Sequence, residues 1–197
     1  MVKEGFMTAR RALLNAARSL VAAKGVKAAT VAAIAARAGV AKGLLFYYFK
    51  NKENVVKAVA DELEAAYTAS LRALPRAVSA RESLHSLIAH HFAFLEKNPE
   101  GAQFMYQSAA ASHGQGAGAF YAHLYAGILE RLKRGAADGE FQVQDAEELA
   151  YMLLGSLHGI GRLKLFEFKR DYDAAARLAA FYDKLLPPPG AREPHGA

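Results

Sequence analysis

With 197 residues, 53% of them apolar, the chain holds enough hydrophobic material for one domain or two small ones, which excludes disorder as the default state. It has no cysteine, which excludes a disulfide framework and a thiolate zinc site and fits a reducing cytoplasm. The net charge of +6 is unevenly spread: residues 1–60 carry eleven Lys or Arg against two acids, and residues 61–197 carry fourteen against seventeen. The positive field that would meet a polyanion therefore sits in the first third of the chain.

Proline and glycine are scarce inside long segments, and period-two alternation is almost absent, so the expected fold is all-α. The first helix is expected from near Thr8 to just before Gly25, with Leu13, Ala16, Ala17 and Leu20 on one apolar face. Arg10, Arg11, Arg18 and Lys24 interrupt its apolar runs, unlike a secretory leader. Thr30 is suited to cap a second helix, in which Val31, Ile34, Ala35 and Ala38 recur at i, i+3, i+4 and i+7. Gly39 is placed to end it. A third helix begins near Ala41 or Lys42 and ends around Phe49, and the pair forms a helix-turn-helix.

The third helix contains four consecutive aromatic residues, Phe46 to Phe49. At 100° per residue, Leu45 and Phe49 fall on the core face, Gly43, Leu44 and Tyr47 on the opposite face, and Phe46 and Tyr48 at the boundaries. An exposed face of Gly, Leu and Tyr beside Lys42 suits the major groove of DNA better than water. Gly43 lets the backbone approach, Lys42 can donate to guanine, and Leu44 can touch a thymine methyl. Tyr47 and Tyr48 can reach phosphate oxygens, and Lys52 adds charge where the next helix begins. With Thr30, these residues form the expected DNA-facing set.

A fourth helix, capped by Asn51, runs to the region of Pro75. Others are expected at about 80–97, 100–112, 117–135, 145–168 and 172–186, with Pro99 just inside the start of one. The stretch "GAADGEF" reads as a turn, and residues 188–197 as a frayed tail. The longest weakly polar stretch, 149–161, is shorter than the roughly 20 residues of a membrane span. A soluble cytoplasmic protein with no membrane partner is expected.

"TVAAIAARAGVAKGLLFYYFKNKENVV", residues 30–56, resembles the DNA-binding segment of the tetracycline-repressor (TetR) family. The shared features are a threonine-capped helix, Ala-Gly-Val at the turn, then Lys-Gly, the aromatic run, and Lys-x-Lys-Glu. Two residues depart from that pattern: Leu44 stands where Thr or Ser is usual, and Phe46 where Tyr is. Ala32 occupies a position that reads a base in some relatives. Base readout is therefore sparse, which leaves more to phosphate contacts and DNA shape.

The resemblance implies a DNA-binding head over 6–60, with its motif at about 30–49, and a ligand-binding and dimerisation body over 61–187. It also implies about nine helices, a homodimer, a palindromic double-stranded operator and a small-molecule effector. Leu153, Gly155, Leu157 and Gly159 in the eighth helix, with Leu178 and Tyr182 in the ninth, are the expected dimer face. Phe94, Phe104, Tyr106, Tyr121 and Tyr125, with Tyr151 and His158 as polar handles, are the candidate effector pocket. The glycine-rich "SHGQGAG" is its candidate gate. No charged residue stands clearly among these rings, which favours a neutral or weakly polar effector. A regulator that binds DNA constitutively, with no effector, is the alternative.

An enzyme finds little support. None of the seven histidines pairs with another at i, i+4. Glu82 and His85 make one Glu-x-x-His, but a di-iron bundle needs a second copy. Neither a phosphate-binding glycine loop nor a Gly-x-Ser-x-Gly is present. No cofactor and no metal are expected.

Overall fold

The computed structural model describes residues 2–111, 118–167 and 172–190. Among these residues every regular element is helical: α1 (Val2–Ala28), α2 (Val31–Ala38), α3 (Lys42–Phe49), α4 (Lys52–Arg72), α5 (Ala80–Lys97), α6 (Pro99–Ala111), α7 (Gly118–Ala137), α8 (Ala146–Arg162) and α9 (Ala174–Leu185). No single helix among them is long and apolar enough to cross a membrane.

Local chemistry accounts for the boundaries. Asn51 Oδ1 accepts from Asn54 N at 2.8 Å at the start of α4. Asp145 accepts from the N–H groups of Glu147 and Glu148, both at 2.9 Å, and Asp173 from that of Ala176 at 3.0 Å. Each satisfies donors that the first turn of a helix leaves open. Pro99 is the first residue of α6, where its missing N–H costs nothing.

Two helices differ from expectation at their ends. α1 starts earlier than Thr8 and resumes past Gly25, whose φ of 77° and ψ of 169° break its regular path. A side chain would be strained there, so glycine absorbs the kink. α8 is shorter than 145–168: it ends at Arg162 and passes into a π-helical stretch, Leu163–Glu167. The "SHGQGAG" segment apart from Gly118, and the tail beyond Gly190, lie outside the described residues.

The chain groups into two compact units, Met1–Ala69 with Lys97–Phe120, and Ser70–Glu96 with Tyr121–Ala197. In the first, Leu13, Leu14, Ala17 and Val21 of α1 are buried with Ile34, Leu45, Phe49 and Val55. Each large apolar side chain so removed from water contributes about 1.5–3 kcal/mol. α6 falls in this unit: the Arg18 guanidinium meets Glu100 at 2.8 Å, and Ser19 Oγ donates to the same carboxylate. In the second unit, Leu84, Leu87, Ile88, Ile128, Leu132, Leu153, Leu157 and Tyr182 are buried. α7 and its following turn close tightly there. A methyl group placed on Gly135 would lie 2.1 Å from Cζ of the buried Phe141.

Candidate nucleic-acid interface

Alternating local constraints build the α2–turn–α3 corner. Thr30 Oγ1 accepts from Ala33 N at 3.2 Å and opens α2. Gly39 closes it in the left-handed conformation, φ 67° and ψ 29°, which glycine adopts without strain. Val40 N then returns to the Ala35 carbonyl at 3.1 Å. The axes of the two helices bend by 108°, inside the range of a helix-turn-helix. α3 begins at Lys42, after an Ala41 that offers no side-chain cap, and has no acid in its first turn, so its N-terminal N–H groups meet no carboxylate of their own turn.

The faces of α3 divide much as the 100° spacing predicts. Leu45 is fully buried and Phe49 nearly so, while Lys42 and Gly43 are exposed and Tyr47 is 72% exposed. Leu44 and Tyr48 are half-buried. Phe46 lies further out than a boundary residue, at 47% exposed, with the Lys42 ammonium 6.0 Å from its ring centre. The Tyr47 and Tyr48 rings meet edge to face at 5.1 Å. Desolvation, then the neighbouring Tyr47 phenol, push the Tyr48 hydroxyl above its ordinary pKa.

Lys52 is set differently from Lys42. It is half-buried, and its ammonium donates to the Val26 carbonyl at 3.2 Å, just past the break in α1. It therefore ties the head together as well as adding charge. Lys50, exposed beside it, takes a φ of 66°, a strained value for a residue with a side chain, where the chain turns from α3 into α4. Sequence reasoning gave Lys50 no role, since a lysine carries no sign of a left-handed backbone.

The expected dimer face needs correction. Leu153 and Leu157 are fully buried, Tyr182 is 1% exposed and Leu178 is 6% exposed, so all four are covered by their own chain. Gly155 is exposed and Gly159 half-buried, with open space beside both. What α8 and α9 turn outward instead is Tyr151, Met152, Phe181 and Leu185, from 41% to 72% exposed. The two helices are neighbours, with Ser156 Oγ 3.3 Å from the Tyr182 hydroxyl.

The candidate pocket residues also separate. Phe104 and Tyr106 are buried in the unit that holds the head. Phe94, Tyr121, Tyr125 and His158 belong to the other unit and are half-buried. Tyr151 is 72% exposed and cannot serve as an interior handle. Tyr121 and His158 do meet, hydroxyl to Nδ1, at 2.7 Å. Burial pushes the Tyr121 phenol up to about 12. Burial, then the Arg162 charge, lower His158. The buried His91, which sequence reasoning passed over, falls to about 3 through burial and then the nearby His90 and His158. This polar cluster is therefore uncharged at neutral pH. Among the described residues no group of three or more His, Asp or Glu is placed to hold a metal ion.

Comparison with known proteins follows the same division. Residues 13–59 match the family model described as "Bacterial regulatory proteins, tetR family". The HTH-type transcriptional regulator BetI of Escherichia coli K12 is 33% identical over 87 residues. That match takes in 42% of this chain and 44% of BetI, so the chain spans less than half the length of the curated relatives it matches. The fatty acid degradation regulator FadR of Bacillus halodurans superposes with a TM-score of 0.75 at 25% identity, over 90% of this chain and 94% of that one. A TetR-like regulator from Rhodococcus sp. RHA1 gives 0.74 at 19%, over 90% and 95%. A Saccharomonospora viridis structure holding choline gives 0.70 at 22%, over 90% and 97%. The last two are likenesses of fold alone.

Proposed function

We propose that the chain is a member of the tetR family of bacterial regulatory proteins, a family of regulators rather than enzymes, and that it is a dimeric transcriptional repressor released from its operator by a small, mostly apolar effector. The observation that carries the DNA-binding part is the exposed face of α3. Lys42, Gly43 and Tyr47 face outward beside an uncapped helix start, while Leu45 and Phe49 hold the helix to the head. Lys42 reads a base, Leu44 touches a thymine methyl, and Tyr47, Tyr48 and Lys52 fix the backbone. Ala32, exposed on α2, offers no donor, so DNA shape carries part of the specificity.

Two copies bind a palindromic site, each reading one half. The outward residues of α8 and α9 support pairing of the copies: Tyr151, Met152, Phe181 and Leu185 are apolar and uncovered, and Gly155 and Gly159 leave room for a close helix approach. The head over 6–60 reads DNA, the body over 61–187 pairs and senses, and the whole works in the cytoplasm beside its DNA. The Tyr121–His158 pair supports an effector that is neutral or weakly polar, because both groups are uncharged at neutral pH and offer only hydrogen bonds. The choline in the S. viridis structure belongs to that protein, but it makes a small-molecule effector worth testing here. An effector acts only by binding the DNA-free form more tightly than the DNA-bound form. The complete burial of Phe104 favours the alternative, a constitutive DNA-binding regulator with no effector.

Selection of bound sequences from random DNA, followed by binding of Lys42→Ala and Lys52→Gln at several salt concentrations, tests this reading. Lys42→Ala is expected to lose about 1–3 kcal/mol on the selected site and to relax one base position per half-site. Lys52→Gln is expected to weaken all duplexes alike and to lower the salt slope by about 1. Identical behaviour of the two variants on specific and random duplexes would overturn the recognition role of Lys42.

A further inference from the structure

The end of α4, the loop into α5 and the last turns of α7 enclose a cleft of about 400 Å³. That is within the range of small-molecule sites. Four arginines line it, Arg72, Arg76, Arg131 and Arg134, and no carboxylate does. This concentration runs against its surroundings, since residues 61–197 hold more acids than bases.

Four arginines line this one space, and like charges gathered there favour an anion. Among the described residues no carboxylate lies within ion-pair distance of Arg72 or Arg76, both of which are exposed. The other two are held in place by backbone carbonyls. Arg131 donates from Nη1 to Gly127 O at 2.7 Å and from Nε to Ser83 O at 3.3 Å. Arg134 Nη2 donates to Ser79 O at 3.3 Å.

Glu140, which feels the Arg134 charge, is already engaged. Its oxygens accept from Ala80 N at 2.6 Å and Arg81 N at 3.1 Å, and these bonds, ahead of the Arg134 charge, lower its pKa. It thus occupies the N-terminus of α5, the other place in this region where an anion would settle. A neighbouring cleft of about 440 Å³ shares Arg76 and Arg134 but also carries Asp138 and Glu140, which turn an anion away. In the arginine cleft the remaining walls are apolar, from Leu71, Leu74 and Leu87, with the hydroxyl residues Ser83 and Ser86 between.

We propose that this cleft is a binding site for a small organic anion, with its carboxylate or phosphate held by the guanidinium groups and its apolar part against the leucines. Planar guanidinium groups pair bidentately with both kinds of anion. The site lies apart from the Tyr121–His158 pair and takes a ligand of opposite character, so it does not rest on the effector reading.

Calorimetric titration of the full chain tests it, with benzoate, phenyl phosphate, inorganic phosphate and benzyl alcohol as probes. Benzoate or phenyl phosphate is expected to bind saturably, whichever is tighter identifying the preferred anion, and benzyl alcohol is expected not to bind. The Arg72→Gln/Arg76→Gln double variant should weaken that binding at least about tenfold, which is about 1.4 kcal/mol. Lys184→Gln, which removes an exposed charge from α9, should leave it unchanged. An unaltered melting temperature and operator affinity in the double variant show that fold and head are intact, and Arg76→Gln alone serves if the double variant melts early. The proposal is overturned if neither organic anion binds, if the arginine variants bind as the unmodified chain does, or if inorganic phosphate binds as tightly as phenyl phosphate.

Discussion

Replacing His91 with Leu should remove a specific part of the protein's acid sensitivity. His91 is buried on α5, and burial, reinforced by His90 and His158, lowers its pKa from 6.5 to about 3 in the folded chain. The unfolded chain keeps the ordinary value, so it takes up the proton first as pH falls. Stability from this residue is therefore complete above about pH 6.5 and is lost progressively as pH drops toward the folded value. Integrating from pH 8 to pH 4.5, this one group should cost roughly 2.5–3 kcal/mol. The rest of the chain contributes its own pH dependence, so the informative quantity is a double difference, unmodified chain minus His91→Leu at pH 8 and again at pH 4.5. Urea unfolding at both pH values measures it, with linear extrapolation to zero denaturant. The size of the variant's effect at pH 8 does not matter to the argument. What refutes it is a difference that stays the same at the two pH values, since His91 would then be as easily protonated in the folded chain as in the unfolded one.

Other perturbations separate core from interface. Phe49→Ala should destabilise the chain by about 3–5 kcal/mol in urea unfolding, because that ring is 6% exposed. Tyr47→Ala, at 72% exposed, should change stability by less than about 0.5 kcal/mol yet weaken operator binding in a mobility-shift assay. Gly135→Ala places a methyl 2.1 Å from Phe141 Cζ and should cost about 1–3 kcal/mol of overpacking, partly relieved in thermal melts when Phe141→Leu is added. Phe181→Glu should leave the fold intact but shift sedimentation from dimer to monomer at micromolar concentration. An unmodified chain that sediments as a monomer would end the dimer reading.

The head was legible in the sequence because local chemistry decides it. Thr30 caps α2, Gly39 is the residue that takes a left-handed turn without strain, and the 100° spacing of Leu45 and Phe49 is enough to say which side of α3 is covered. Once those residues are placed, Tyr47 and Gly43 have nowhere to go but outward. Periodicity says that a face is apolar, not what covers it, and the body turns on that second question. Leu153, Leu157, Leu178 and Tyr182 form stripes that read equally well as a dimer face or as core, and only the packing of α8 and α9 makes them core. The uncovered apolar residues, Tyr151, Met152, Phe181 and Leu185, lie on the neighbouring faces of the same helices. The arginine cleft was hidden for a related reason. Arg72 and Arg76 are some sixty residues from Arg131 and Arg134 in the chain, and no local rule joins them until α4, α5 and α7 come together. Contacts within a turn or two of helix are written in the order of the residues, whereas contacts between distant helices depend on how side chains from each fill the same space.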